Sequence, residues 1–123
     1  MKTSSQEIVK AQKALKECGI VDQNGFYNPV FGGYISTFGA SLVQAGLLPT
    51  VIFYENKKSE AKERYKVILA LQKMLNLNVP QMAVYLLQNK KSDDQAYIAQ
   101  VADAMVALKL ALRMYNEKEE KNG

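Results

Sequence analysis

This sequence has no histidine, no tryptophan and a single cysteine among its 123 residues. Without histidine the chain lacks the commonest general base and metal ligand, so Ser–His and Cys–His pairs are excluded and no metal or cofactor is expected. One cysteine, Cys18, cannot form an intramolecular disulfide, which suits a reducing compartment. The first residues, MKTSSQEIVKAQK, contain no apolar core of a signal peptide. We therefore expect a cytoplasmic location.

Charge is also missing from one long stretch, because the 32 residues from Gln23 to Tyr54 carry no ionisable Lys, Arg, Asp or Glu. A stretch of this length could cross a bilayer, but polar residues recur through it and a break from Gly46 to Pro49 falls within it. We predict no membrane association. Two alternatives stay open for the stretch: burial as a central pair of helices, or an outward aromatic face, including Tyr34 and Phe38, that contacts neighbouring subunits.

Periodicity of the apolar residues is helical along most of the chain, and no alternation of period two persists. The pattern predicts helices over about residues 4–18, 34–45, 49–56, 60–75, 81–88 and 92–115. The expected fold class is therefore all-α, a single-domain bundle of about five to six helices over residues 1–123, with frayed ends at about 1–3 and 116–123.

Helix ends and the residues beside them yield further expectations. Ser4 with Glu7, and Ser92 with Gln95, have the spacing of capping boxes. Pro49 suits the first position of a helix. Inside the second helix, Gly39 suggests that another backbone comes close, since glycine there costs about 1 kcal/mol relative to alanine.

Signatures of catalysis are not evident in the sequence. There is no G-x-x-x-x-G-K-[ST] phosphate loop, and Gly32-Gly33 follow no predicted strand. The acids Asp93 and Asp94 suit the first turn of a helix. We expect no enzyme and no small-molecule substrate, although carboxylate or lysine chemistry remains an open alternative.

Basic residues concentrate in the middle of the chain, where residues 57–113 hold ten Lys or Arg and five acids. Such an excess indicates an anionic partner or an ordinary solvated surface. If the helices that carry these residues converge, they form a positive stripe that could follow a phosphate backbone. The candidate RNA-binding residues are Lys57, Lys58, Lys62, Arg64, Lys109 and Arg113.

One segment resembles a known family. The stretch GASLVQAGLLPTVIFYENK, residues 39–57, is similar to the signature of the small subunit of type III-B CRISPR effector complexes, the fifth protein of the Cmr module. Gly46, Leu47, Phe53 and Lys57 fall at its characteristic places, and the last helix matches at Tyr97, Ala104, Met105, Leu108 and Arg113. The resemblance spans about residues 34–115. Leu110 departs from it, because many relatives have tryptophan there.

The resemblance implies a non-catalytic protein. It implies partners as well: other subunits of the effector complex, further copies of this chain, and guide RNA, target RNA or both. A helical nucleic-acid-binding or adaptor module unrelated to CRISPR remains the alternative. No helix-turn-helix spacing supports that alternative, however, and its recognition positions lack base-reading side chains.

Overall fold

The computed structural model describes residues 3–58 and 63–119. In these two ranges the chain forms six helices and two short strands, in the order α1 (Ser5–Glu17), β1 (Phe26–Tyr27), α2 (Val30–Ala45), α3 (Leu47–Glu55), α4 (Tyr65–Met74), α5 (Met82–Gln88), α6 (Gln95–Leu112) and β2 (Asn116–Glu117). The predicted all-α single-domain bundle of about five to six helices is therefore confirmed.

The last long helix, α6, forms the centre of the bundle because α1, α2 and α4 all pack against it. Its buried residues combine three alanines with larger apolar side chains: Val101, Ala104, Met105, Ala107, Leu108, Ala111 and Leu112. Small side chains let neighbouring helices approach, while the larger ones fill the space between them. One continuous hydrophobic core results.

Helix α1 begins as predicted, since the Ser4 hydroxyl accepts a hydrogen bond of 3.2 Å from the Glu7 amide. Polar contacts along α1 fix the direction of its neighbours. Lys73 of α4 lies 2.9 Å from Glu17, and Lys10 donates to Asn76, so α4 runs antiparallel to α1. Helix α6 runs parallel to α1, because Lys10 lies beside Asp103 while Lys16, later in α1, reaches the ring of Tyr115 after the end of α6. The first turn of α4 and the last turn of α6 therefore lie toward the same end of the bundle.

Cys18 follows α1 and is 8% exposed, as expected of a small core residue. Burial raises the pKa of its thiol. A thiol that stays protonated in an apolar surrounding is a poor nucleophile.

Helices α2 and α3 form a tight antiparallel pair joined by Gly46. The φ of Gly46 is 94°, a backbone conformation that residues with a side chain disfavour. The hydroxyls of Ser41 and Thr50 share a hydrogen bond of 2.7 Å across the pair. Two predicted boundaries are wrong. Helix α2 begins at Val30, four residues early, and Pro49 is the third residue of α3 instead of the first.

Two more helix starts differ from prediction. Asp94 is the N-cap of α6 and accepts from the Tyr97 amide at 3.1 Å, so the predicted cap at Ser92 is wrong. Helix α4 starts at Tyr65, and Glu63 precedes it, paired with Lys66 at 2.6 Å. Glu60, the first residue of the helix predicted over 60–75, lies outside the described residues.

The segment after α6 pairs with the loop after α1. Strand β2 runs parallel to β1, with Phe26 opposite Asn116. Lys118 also lies 3.4 Å from Asp22, whose side chain accepts from two backbone amides of the turn. The first residues of the tail expected to fray at 116–123 are hydrogen-bonded to this loop, because the Asn116 amide donates to the Gly25 carbonyl and the Lys118 amide donates to the Tyr27 carbonyl. Residues 1–2 and 120–123 lie outside the described part of the chain.

Most of the uncharged stretch from Gln23 to Tyr54 forms the helical hairpin of α2 and α3. Phe31, Ile35, Phe38 and Leu42 form the buried stripe of α2, and α3 buries a stripe of its own. Among the described residues, none of the helices combines the length and hydropathy needed to cross a membrane.

Candidate nucleic-acid interface

Basic and aromatic side chains meet where α3 ends and α4 begins. We call Phe53, Lys57, Lys58, Arg64 and Tyr65 the basic–aromatic corner. Helix α3 ends at Asn56, whose backbone turns to an extended conformation. Its side-chain oxygen accepts from the Lys58 amide at 2.9 Å, a local turn that leaves both lysines exposed.

Each ring of the corner has a cation on one face. The guanidinium carbon of Arg64 lies 3.9 Å from the centroid of Phe53, and Lys57 Nζ lies 4.5 Å from the centroid of Tyr65. Phe53 is still 54% exposed. Such contacts hold the long basic side chains close to their rings, at about 0.5–1 kcal/mol each near the surface.

Below the corner lies a buried tyrosine. The Tyr54 ring packs edge-on against Phe38 at 5.1 Å, and its hydroxyl donates to the Tyr34 carbonyl. Burial raises the pKa of Tyr54 to about 12, although the nearby Arg64 opposes the shift. Tyr54 therefore stays neutral, and its buried ring packs beneath the corner.

Glu55 connects the corner to α5. Its carboxylate accepts hydrogen bonds from the backbone amides of Met82 at 2.7 Å and Ala83 at 3.0 Å. Both amides lie in the first turn of α5. The N-cap residue, Gln81, makes no hydrogen bond to them with its side chain. A residue 27 positions away thus caps the helix, and its negative charge lies at the N-terminus of α5, where the helix dipole favours it.

The predicted RNA-binding residues divide into sets on different elements. Lys57, Lys58 and Arg64 belong to the corner, although Arg64 is half-buried and stacks on rings. Lys109 and Arg113 are exposed on α6, one turn apart, toward the same end of the bundle. Lys62 lies outside the described residues. The residues thus lie at two places, the corner between α3 and α4 and the end of α6, and the single positive stripe stays a prediction.

The predicted subunit interface requires a correction. Phe38 is 0% exposed because it belongs to the buried stripe of α2, so it cannot contact another subunit. Tyr34 is half-buried and packs edge-on against Phe31 at 5.7 Å. Its role at an interface stays a prediction.

The opposite side of α2 is exposed. We call Gly33, Ser36, Thr37, Ala40 and Val43 the α2 outer face; all five are exposed, and none is charged. Val43 is 86% exposed. Gly39 is predicted to let another backbone come close, but outside its own helix none of the described residues has an atom within 4 Å of the position its Cβ would occupy.

Sequence reasoning missed two residues of the corner. In the sequence, Phe53 stands out only as a match to a family pattern, and no pattern singles out Tyr65. The signal that could have found them is local. Arg64 directly precedes Tyr65, and Lys57 comes one helical turn after Phe53.

Comparison with known families gives a match over most of the chain. A family described as CRISPR-associated protein (Cas_Cmr5) matches residues 6–116. The chain belongs to this family. Family membership implies membership in a CRISPR effector complex, and the matched range includes every described residue of the corner and the α2 outer face. Curated proteins and solved structures gave no match.

The family assignment decides between alternatives that the sequence left open. A helical module unrelated to CRISPR is no longer supported, because the match extends from α1 to the first residue of β2. It also explains the similarity of residues 39–57 and of the last helix. Leu110, the departure from the pattern, is 39% exposed on α6, so its smaller side chain leaves the core unaffected.

Proposed function

We propose that this chain is a non-catalytic structural subunit of a type III-B CRISPR complex, an RNA-guided complex that targets RNA in antiviral defence. It stacks with further copies of itself and with the backbone subunits, and it contacts the guide–target RNA through its basic surfaces. Family membership is the observation that carries this proposal.

The basic–aromatic corner supports the RNA contact. Lys57 and Lys58 are exposed cations, and the nearest acid of α3, Glu55, is engaged by the amides of α5. Phosphate contacts of this kind are largely independent of sequence and sensitive to salt. Lys109 and Arg113 are two further exposed cations, at the end of α6.

The α2 outer face supports stacking against protein. It carries no charge, and its side chains are small, so a neighbouring subunit can approach the helix closely without desolvating an ion. Open space beside Gly33 and Gly39 means that packing inside this chain does not require glycine there. Contact with another subunit would explain why glycine occupies these two positions.

Gentle purification of the tagged chain from its host tests the proposal. We expect RNA-binding partner subunits, further copies of the chain and a small guide RNA with repeat-derived sequence to co-purify. A matched purification of a Val43→Glu variant shows whether recovery depends on the α2 outer face. Recovery of the wild-type chain with neither partners nor RNA would contradict the proposal.

A further inference from the structure

A groove opens directly beside the basic–aromatic corner. It has a volume of about 410 Å³ and lies between the end of α3, the first turns of α4 and the segment at Pro80. This volume is within the range of small-molecule sites in proteins, roughly 300–1,000 Å³. Ile68 and Leu69 make part of its lining apolar, while Lys57 and Lys58 supply positive charge.

The ring of Tyr65 lines the same groove, with the Lys57 ammonium over one face. Of the described residues that line the groove, Glu55 alone is acidic, and both of its oxygens accept amides of α5. The groove therefore combines an aromatic ring, an apolar lining and two cations. A planar ring joined to a phosphate has the complementary chemistry.

We propose that this groove binds a single unpaired nucleotide of an RNA strand, with its base stacked on Tyr65 and the adjoining phosphates contacted by Lys57 and Lys58. The inference rests on the proposed RNA contact and specifies the form of RNA that is bound there. In a duplex, neighbouring base pairs cover both faces of each base, so only phosphates would reach the corner. An unpaired base presents a free face, and aromatic side chains bind such faces with little sequence preference.

Fluorescence anisotropy with a single-stranded RNA and with a duplex of the same sequence, at matched salt, tests the proposal. We expect the full chain to prefer the single strand. Tyr65→Leu removes the ring and lowers single-strand affinity about tenfold, while duplex affinity is unchanged. Tyr65→Phe keeps the ring and should retain wild-type affinity. Lys57→Ala should weaken binding to both RNAs and reduce the salt dependence by about 0.7 in logarithmic slope for the single strand.

Tyr115→Leu is the matched control, since Lys16 Nζ lies 5.6 Å from that ring in a lysine–tyrosine pair outside the groove. It should leave both affinities unchanged. Circular dichroism and the urea midpoint verify that each variant is folded. If Tyr65→Leu does not fold, the wild-type chain with an abasic single strand gives the same information, because that strand keeps its phosphates and loses its bases. About tenfold weaker binding of the abasic strand is expected.

Equal affinity for single strand and duplex, or equal losses on both with Tyr65→Leu, would overturn the unpaired-nucleotide site. The proposed function would survive that result as long as Lys57→Ala still weakened RNA binding. If an acidic peptide bound in a Tyr65-dependent manner while RNA did not, the groove would be a protein-docking site and the inference would be wrong. If neither RNA bound and Lys57→Ala had no effect, the proposed RNA contact itself would be contradicted.

Discussion

The α2 outer face and the basic–aromatic corner are both exposed, but they differ in charge and in shape. The face has no ionisable side chain and is built from small residues along one helix. The corner has one lysine and one arginine held against aromatic rings, and a second exposed lysine, beside a groove. An uncharged face favours contact with protein, and a cationic aromatic groove favours RNA. Two surfaces of one small bundle can therefore serve two kinds of partner.

A charge placed on the α2 outer face should have the largest effect. Val43→Glu is expected to abolish co-purification with partner subunits, because the carboxylate would be buried without a counter-ion at the proposed contact. Stability of the isolated chain should change by less than about 0.5 kcal/mol, since Val43 is 86% exposed. Quantitative mass spectrometry of the purified complex and urea denaturation are the two measurements.

Val9→Glu provides the control for that variant, because Val9 is an exposed valine on α1, 63% accessible. It should assemble normally. If the Val43→Glu variant assembled normally, the α2 outer face would not be the surface that contacts protein.

Removing the charges of the corner should affect RNA and leave the subunit contacts intact. A Lys57→Ala and Lys58→Ala double variant is expected to bind single-stranded RNA about tenfold more weakly near physiological salt, because two counterion-releasing contacts are lost. The logarithmic salt slope should fall by about 1.4. Anisotropy titrations over a range of salt concentrations measure both quantities.

Lys109→Ala with Arg113→Ala is the comparison variant, since it removes the same charge from the end of α6. We expect a smaller loss of affinity there, because the corner adds an aromatic ring and a groove to its cations. A larger loss than at the corner would reverse the ranking of the two basic surfaces.

The hydrogen bonds from α5 to Glu55 should contribute measurably to the free energy of unfolding. Glu55→Gln is expected to lower the free energy of unfolding by about 1–2 kcal/mol, because α5 loses a charged cap on its first amides. Glu119→Gln, an exposed acid after β2, should change it little. Urea denaturation of the two variants and the wild type gives the difference. Equal stability of all three proteins would show that the cap contributes nothing.

The smallest effect concerns glycine on α2. Gly39→Ala should stabilise the isolated chain by about 0.5–1 kcal/mol, because alanine has the higher helix propensity and its Cβ would meet no atom within 4 Å. The same change should weaken assembly, if a neighbouring subunit packs against that face. Thermal unfolding and co-purification separate the two effects. A destabilised isolated chain would mean that glycine serves packing inside this molecule.

Much of the bundle was predictable because apolar residues recur at helical spacing, and a local cap such as Ser4 is set by nearby sequence. The predicted boundaries were wrong where contacts between distant segments determine where a helix or strand begins and ends. The Glu55 cap of α5 joins residues far apart in the chain, and β2 forms only because the loop at Phe26 lies beside it. Both involve hydrogen bonds between distant segments that no local pattern specifies.

The candidate site was predictable in composition and less so in arrangement. Lysine density pointed to residues 57–66, but periodicity could not distinguish a ring facing the core, as in Phe38, from one facing solvent, as in Phe53. Both lie in the uncharged stretch from Gln23 to Tyr54, and only the packing of α2 against α3 and α6 decides which side is covered. The pairing of Lys57 with Tyr65 depends on a turn between two helices, which residue spacing alone does not give.

Ultraviolet crosslinking of RNA within the intact purified complex, mapped to residues by mass spectrometry, tests the central claim most directly. The account predicts crosslinks in this subunit at Tyr65 and the adjoining lysines of the corner, with none on the α2 outer face. Crosslinks confined to Lys109 and Arg113, or located at Val43, would contradict it.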